Sequence, residues 1–196
     1  MQIRKLFKFE MAHIVRKAFS TRCAKNIHWH SYLLEVFLEG KELDEAGMVL
    51  DFGLVKKEVN DFIDSFDHTL CIWNLPEEKA LVEFATKNFE RVIVLPFNST
   101  AEMQAKMFYE LISKLLSKYT IKVSKCIVHE TTTGYAEYMP VLHEDMPKTL
   151  YPIRIFEQKD ADTVISEKDY IWISEWISNE RKEKMWVLDY NENFTM

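Results

Sequence analysis

The sequence predicts an α+β fold, an antiparallel sheet with two helices on one face. Two stretches with strand-like alternation open the chain, and two amphipathic stretches with helical spacing occupy its middle. A further alternating stretch with a hairpin partner follows them. The order strands, helix, helix, strands is that of an α+β domain with antiparallel pairing. The 196 residues are 47% hydrophobic and 13% aromatic, with four glycines and five prolines, enough for one full core and too few breakers for linkers.

Ile3 to Ala12 reads as the first strand, its charges Arg4, Lys5 and Lys8 interleaved with apolar residues. Ser31 to Glu39 reads as the second, where Leu34, Val36 and Leu38 alternate with Leu33, Glu35 and Phe37, so both faces are partly apolar. Asp51 to Phe66 sets Leu54, Val55, Val59, Phe62, Ile63 and Phe66 at helical spacing, with Asp51 placed to cap the N-terminus. Arg91 to Leu95 is a short strand. Pro96 to Ser99 then turns into a second helix, from about Thr100 to Lys118, that carries Met103, Met107, Phe108, Leu111, Leu115 and Leu116. Ser99 or Thr100 caps it, and Glu102 in its first turn suits the helix dipole. Lys122 to His129 places Val123, Lys125, Ile127 and His129 on one face and Ser124, Cys126, Val128 and Glu130 on the other, with Tyr135 to Met139 as hairpin partner.

The domain therefore spans residues 1–140, and residues 141–196 form an appended extension. Pro147 and Pro152 break the chain there, and three of the five tryptophans, Trp172, Trp176 and Trp186, lie beyond them. Ser166 to Lys184 reads as a capped helix with Tyr170, Ile173, Trp176 and Ile177 on one side, a stripe suited to packing on the domain or a sister subunit.

A net charge of −6 gives no broad basic surface, which argues against a nucleic-acid partner and favours a small anion. No segment is apolar and long enough for a signal peptide or a membrane span. Cys23, Cys71 and Cys126 are odd in number and widely spaced, as expected of reduced thiols in the cytoplasm, and Cys71 and Cys126 read as small buried hydrophobes.

Chemistry concentrates around Cys23 and His28-Trp29-His30. A strand puts His28 and His30 on one face, and His13, at the end of the neighbouring strand, is a third candidate for it. Three imidazoles bind zinc and leave a position for substrate; the alternative is a half-buried edge histidine beside a pair that merely flanks Trp29. Cys23 is either a fourth ligand or a base. Asp67-His68 is either a proton shuttle or a helix-end pair, and Glu130 either a buried carboxylate that meets an amino group beside a ring N–H or an exposed strand end. Arg16, Lys17, Arg22 and Lys25 form a local basic loop, either a phosphate holder or solvated charge.

These pieces, in this order, resemble the 6-pyruvoyl-tetrahydropterin synthase family, which includes the 6-carboxy-tetrahydropterin synthases of queuosine biosynthesis. Phe9-Glu10-Met11-Ala12-His13 is similar to the family's first zinc motif, and Cys23 with His28-Trp29-His30 to its catalytic cysteine and two further ligands. Gly47-Met48-Val49-Leu50-Asp51-Phe52 resembles the segment opening the first helix, Asp67-His68 the catalytic pair, Ser99-Thr100-Ala101-Glu102 the start of the second helix, and Val128-His129-Glu130-Thr131 the pterin-anchoring strand. The chain departs from the pattern at Trp29, where a small residue is usual, at Asn74, and at Ser99, which replaces a proline.

The resemblance implies a tunnelling fold, or T-fold, whose subunits join strands into a barrel, commonly as a homohexamer. It implies Zn2+ held by His13, His28 and His30, catalysis by Cys23, Asp67 and His68, and substrate contacts from Glu130, Thr100 and Glu102. Glu130, or Thr100 and Glu102, would meet the zinc of a different chain. The implied reaction converts 7,8-dihydroneopterin triphosphate and water to 6-carboxytetrahydropterin, acetaldehyde and triphosphate. The alternative within the family is 6-pyruvoyl-tetrahydropterin synthesis. The alternative from another class is a non-enzymatic zinc or pterin-binding protein with a partner-recruiting tail.

Overall fold

The structure, a computed structural model, describes residues 1–140 and 154–157. Alternation in the first forty residues builds a long hairpin: β1 (Gln2–His13) pairs antiparallel with β2 (His28–Gly40) from Gln2↔Glu39 to His13↔His28. A short helix, α1 (Thr21–Lys25), interrupts the connection. Then come α2 (Phe52–Asp64), β3 (Thr69–Trp73), α3 (Lys79–Asn88), β4 (Arg91–Leu95), α4 (Ala101–Leu115), β5 (Ile121–His129), β6 (Tyr135–Tyr138) and β7 (Arg154–Glu157). Asp51 caps α2 by accepting from the Gly53 N–H, and Thr100 caps α4 by accepting from the Met103 N–H, as the sequence predicts.

The strands form one curled sheet in the order β6-β5-β2-β1-β3-β4-β7. Its β6-β5-β2-β1 half is antiparallel. Its other half adds what the strand pattern did not suggest: β3 runs parallel to β1 and β4 parallel to β3, with α3 as the crossover. β7 then pairs antiparallel with β4. The helix expected over Ser166 to Lys184, with its tryptophan stripe, lies outside the described residues.

Two cores sit on opposite faces of the sheet. The larger, under α2 and α4, joins Phe7, Phe9, Met11, Tyr32, Leu34, Val36 and Leu38 to Val55, Val59, Phe62, Met107, Phe108 and Ile112. Phe9 stacks on Tyr32 with ring centroids 5.1 Å apart and meets Phe108 edge-on at 5.7 Å. Each such fully buried side chain contributes on the order of 2 kcal/mol, so this cluster is the main anchor of both helices. The smaller core joins Leu70, Ile72, Val92 and Val94 to Ala85 of α3.

The β2–β5 register shifts between Phe37 and Leu38, which oppose Lys125 and Val123 and leave Ser124 without a partner. The bulge corrects one expectation: Val123 turns onto the face of Cys126 and Val128 and joins the larger core, not the face of Lys125 and Ile127. Beyond the bulge the pairing Leu33↔His129 brings the next residue, Glu130, to the end of the sheet where the histidines lie.

Candidate metal centre and active site

His13 ends β1 opposite His28, and Met11 lies opposite His30. Because side chains alternate along strands, His13, His28 and His30 share the face that carries Met11 and Tyr32. One ring nitrogen from each lies within 4.8 Å of the others, and the ring centroids are 4.5 to 5.3 Å apart. His13 is fully buried, and its Nδ1 donates to the Ser99 carbonyl at 2.8 Å, which leaves the Nε2 lone pair free. His28 Nδ1 donates to the Asn26 carbonyl at 3.0 Å with the same result. Burial lowers the pKa of His13 to about 4, against the hydrogen bond to Ser99 and aided by His28 and His30. Burial also lowers that of His30, opposed by Glu130 and aided by His28. Three imidazole nitrogens gathered at one point, two of their rings oriented by backbone carbonyls, suit a transition metal, so the donor set fits Zn2+. Trp29 points to the other face, 75% exposed, so the bulky residue between the pair leaves the cluster intact.

Glu130 reaches the same cluster. Its Oε1 lies 3.3 Å from His13 Nε2 in its own chain. The Tyr32 hydroxyl accepts from Gln104 Nε2 at 3.5 Å, lies 3.3 and 3.5 Å from Nδ1 and Nε2 of His13, and interacts with the Glu130 carboxylate. Gln104 Nε2 also lies 3.0 Å from Ser99 Oγ. Burial pushes the Cys71 thiol up to about 12, against a hydrogen bond from Ser99, so this thiol is an inert part of the core, as expected. Cys126 is likewise buried.

Cys23 on α1 is half-buried and lies outside the three-imidazole group. Its carbonyl accepts from the Val15 N–H at 3.1 Å, which folds α1 back over the end of β1. The three-imidazole group is complete without its thiol. Asp67 and His68 hang from β1: the Glu10 N–H donates to Asp67 Oδ1, and the His68 N–H to the Glu10 carbonyl, each at 2.7 Å. His68 takes a left-handed φ of 56° there, and its Nε2 is 3.7 Å from Asp67 Oδ2. No hydrogen bond or ion pair joins either residue to the imidazoles. Thr100 uses its hydroxyl as the α4 cap, and Glu102 is exposed on the first turn; neither touches the cluster.

The basic loop divides. Arg16 is no phosphate holder, because its guanidinium grips the buried Glu78 carboxylate at 2.6 and 2.8 Å and donates to the Ala24 carbonyl. Lys17 lies over the Trp73 ring at 5.1 Å, and Arg22 and Lys25 are exposed. Sequence reasoning missed Tyr32, Gln104 and the role of Ser99 beyond a possible cap. The one signal for Gln104 is an amide on the apolar stripe of its helix.

Fold and centre together define a T-fold protein with a three-histidine group whose donor atoms fit a metal ion. Residues 2–141 match the family model described as 6-pyruvoyl tetrahydropterin synthase, and the chain belongs to that family. A protein of Helicobacter pylori strain J99 named 6-carboxy-5,6,7,8-tetrahydropterin synthase is 44% identical over 144 residues, which cover 70% of this chain and 72% of that one. One of the same name from Aquifex aeolicus is 34% identical over 157 residues, covering 70% of this chain and 96% of its own. Among solved structures, an uncharacterised protein of Wolinella succinogenes shares the fold with a TM-score of 0.61 at 21% identity, over 71% of this chain and 97% of that one. The 6-pyruvoyl tetrahydropterin synthase of Caenorhabditis elegans does so with a TM-score of 0.53 at 24% identity, over 72% and 96%.

Proposed function

We propose that this protein is a zinc-dependent 6-carboxy-5,6,7,8-tetrahydropterin synthase of queuosine biosynthesis, acting in the cytoplasm on 7,8-dihydroneopterin triphosphate. The observation that carries this is the group of three imidazoles, with a carboxylate beside it and a thiol outside it, in a chain 44% identical to a protein of that name. His13, His28 and His30 would hold Zn2+. The ion would supply Lewis acidity, lowering the pKa of the substrate's side-chain hydroxyls.

Cys23, free of the ligand set, takes a proton from the substrate side chain as general base. Glu130 accepts two parallel hydrogen bonds from the pterin's amino group and ring N–H and so aims the side chain at the imidazoles. His68, steadied by Asp67, returns protons. Both residues sit on the side of β1 away from β2, where β1 pairs with β3 only from Met11 to His13 and meets no described strand from Gln2 to Phe9. The outer edge of β6 is likewise free among the described residues. Antiparallel pairing of these edges between copies would build the barrel of a homohexamer and carry His68, Thr100 and Glu102 toward a neighbour's centre. Lys17, Arg22 and Lys25 remain the cations for the departing triphosphate.

The description of the matching family model favours a second product, 6-pyruvoyl-tetrahydropterin. Incubation of the zinc-loaded protein with 7,8-dihydroneopterin triphosphate, followed by mass spectrometry, separates the two. Carboxypterin with acetaldehyde is the expected outcome; a pyruvoyl product moves the chain to the second activity. No turnover by an oligomer with bound zinc points to a binding protein instead.

A further inference from the structure

Behind the imidazoles lies a polar cluster that the proposed chemistry does not use. Gln104, in the first turn of α4, is 1% exposed among Ala105, Met107 and Phe108. Burying an amide among apolar side chains costs on the order of 1–3 kcal/mol where its hydrogen bonds are incomplete, and Oε1 of Gln104 has no partner among the described residues. An apolar residue would serve packing alone at least as well.

Each partner of the Gln104 N–H groups leads to a different group of the centre. One arm runs through Ser99: Nε2 lies 3.0 Å from Ser99 Oγ and 3.4 Å from the Ser99 carbonyl oxygen, which also accepts His13 Nδ1–H at 2.8 Å. Two donors on that carbonyl fix the peptide, and the peptide fixes the tautomer and tilt of His13. The other arm runs through Tyr32. Its ring is clamped by the stack on Phe9, so only its O–H can turn. Accepting from Gln104 Nε2 leaves that O–H for the edge shared by His13 Nε2, 3.5 Å from it, and Glu130, whose Oε1 is 3.3 Å from the same nitrogen.

We propose that Gln104 is a positioning residue that holds the metal ligand His13 and the substrate anchor Glu130 in one register, through Ser99 on one arm and Tyr32 on the other. This inference rests on the metal-site reading given above. The two arms have distinguishable signatures: the Ser99 arm acts on metal affinity and ligand-field geometry, and the Tyr32 arm, which meets both His13 and Glu130, adds an effect on the Michaelis constant.

The test uses the full-length protein with Gln104→Met and Tyr32→Phe. Zinc affinity is measured by chelator competition, ligand geometry by the visible spectrum of the cobalt-substituted protein, and KM and kcat with 7,8-dihydroneopterin triphosphate. Gln104→Met is expected to weaken zinc by about ten- to a hundredfold, in the range for lost outer-shell partners, and to alter the cobalt bands. Tyr32→Phe, which keeps the ring, is expected to raise KM roughly tenfold, as for a lost hydrogen bond to a charged group, with a smaller loss of zinc affinity than Gln104→Met. Wild-type zinc affinity and cobalt spectrum in a folded Gln104→Met protein overturn the inference. If that variant does not fold, an unchanged KM in Tyr32→Phe overturns it. Absence of stoichiometric zinc in the unmutated protein overturns the metal reading itself, a different result from indifference to Gln104.

Discussion

Nδ1 of His13 lies 2.8 Å from the carbonyl oxygen of Ser99, eighty-six positions further along the chain. The start of α4 thereby selects the tautomer of a residue on β1, with Nε2 turned toward His28 and His30. If these three rings are the ligand set, His13→Ala weakens zinc at least about a hundredfold, beyond the usual loss of an outer-shell partner. Competition with a chromophoric chelator measures this, and wild-type affinity in the variant rules out the three-histidine site.

Cys23 stands apart from the imidazoles, so its two candidate roles separate in one experiment. Cys23→Ala is expected to keep zinc affinity within about threefold while turnover falls at least a hundredfold, the scale of a lost general base. Single-turnover kinetics on the zinc-loaded variant give the second number. A parallel loss of zinc would make the thiol a ligand after all.

Asp67 and His68 are bound to the Glu10 backbone at the open edge of β1 and do not contact the imidazoles of their own chain. A site shared between copies follows if the strand edges pair. Cys23→Ala and His68→Ala chains, each inactive alone, should then recover activity when unfolded and reassembled together, to roughly a quarter of wild type for random mixing in a symmetric oligomer. Mixtures as inactive as their components place both residues in one chain's site.

Legibility followed the length of the repeat. β1 and β2 alternate over a dozen residues, so period two alone puts His13, His28 and His30 on a common face. β3 does not alternate: four of its five residues are buried, and a short apolar run has no period to distinguish strand from helix. α3 escapes for a related reason, since it covers a small core and buries only Ala85 fully, a stripe too thin to read. The bulge at Ser124 is set by pairing with β2 and has no local signature that the alternation of Lys122 to His129 would betray. Tyr32, Ser99 and Gln104 meet only because α4 crosses the sheet, so their partnership is tertiary and invisible in spacing.

Glu35 makes the last prediction, on the sheet face away from α2 and α4. It is 8% exposed, and its carboxylate accepts from His129 Nε2 at 2.6 Å and from Arg4 Nη1 at 2.7 Å. Burial pushes its pKa up, but the hydrogen bonds and charges of His129 and Arg4 outweigh this and hold it below the ordinary value of 4.5. The folded protein therefore binds this proton less readily than the unfolded chain. The stabilisation is fully present above the ordinary value and is lost as pH falls through the lower folded value. Glu35→Gln should cost on the order of 1–3 kcal/mol at pH 7, as for a buried hydrogen-bonded charge, and the gap to wild type should shrink in acid below that value. Denaturant unfolding of both proteins across the acid range reads it directly. The Arg4 side chain is 53% exposed, so Arg4→Ala should cost less than about 1 kcal/mol and lose its effect in high salt. A penalty for Glu35→Gln that is the same at every pH would assign the stabilisation to packing, and the charge of Glu35 would then have no part in holding β1, β2 and β5 together.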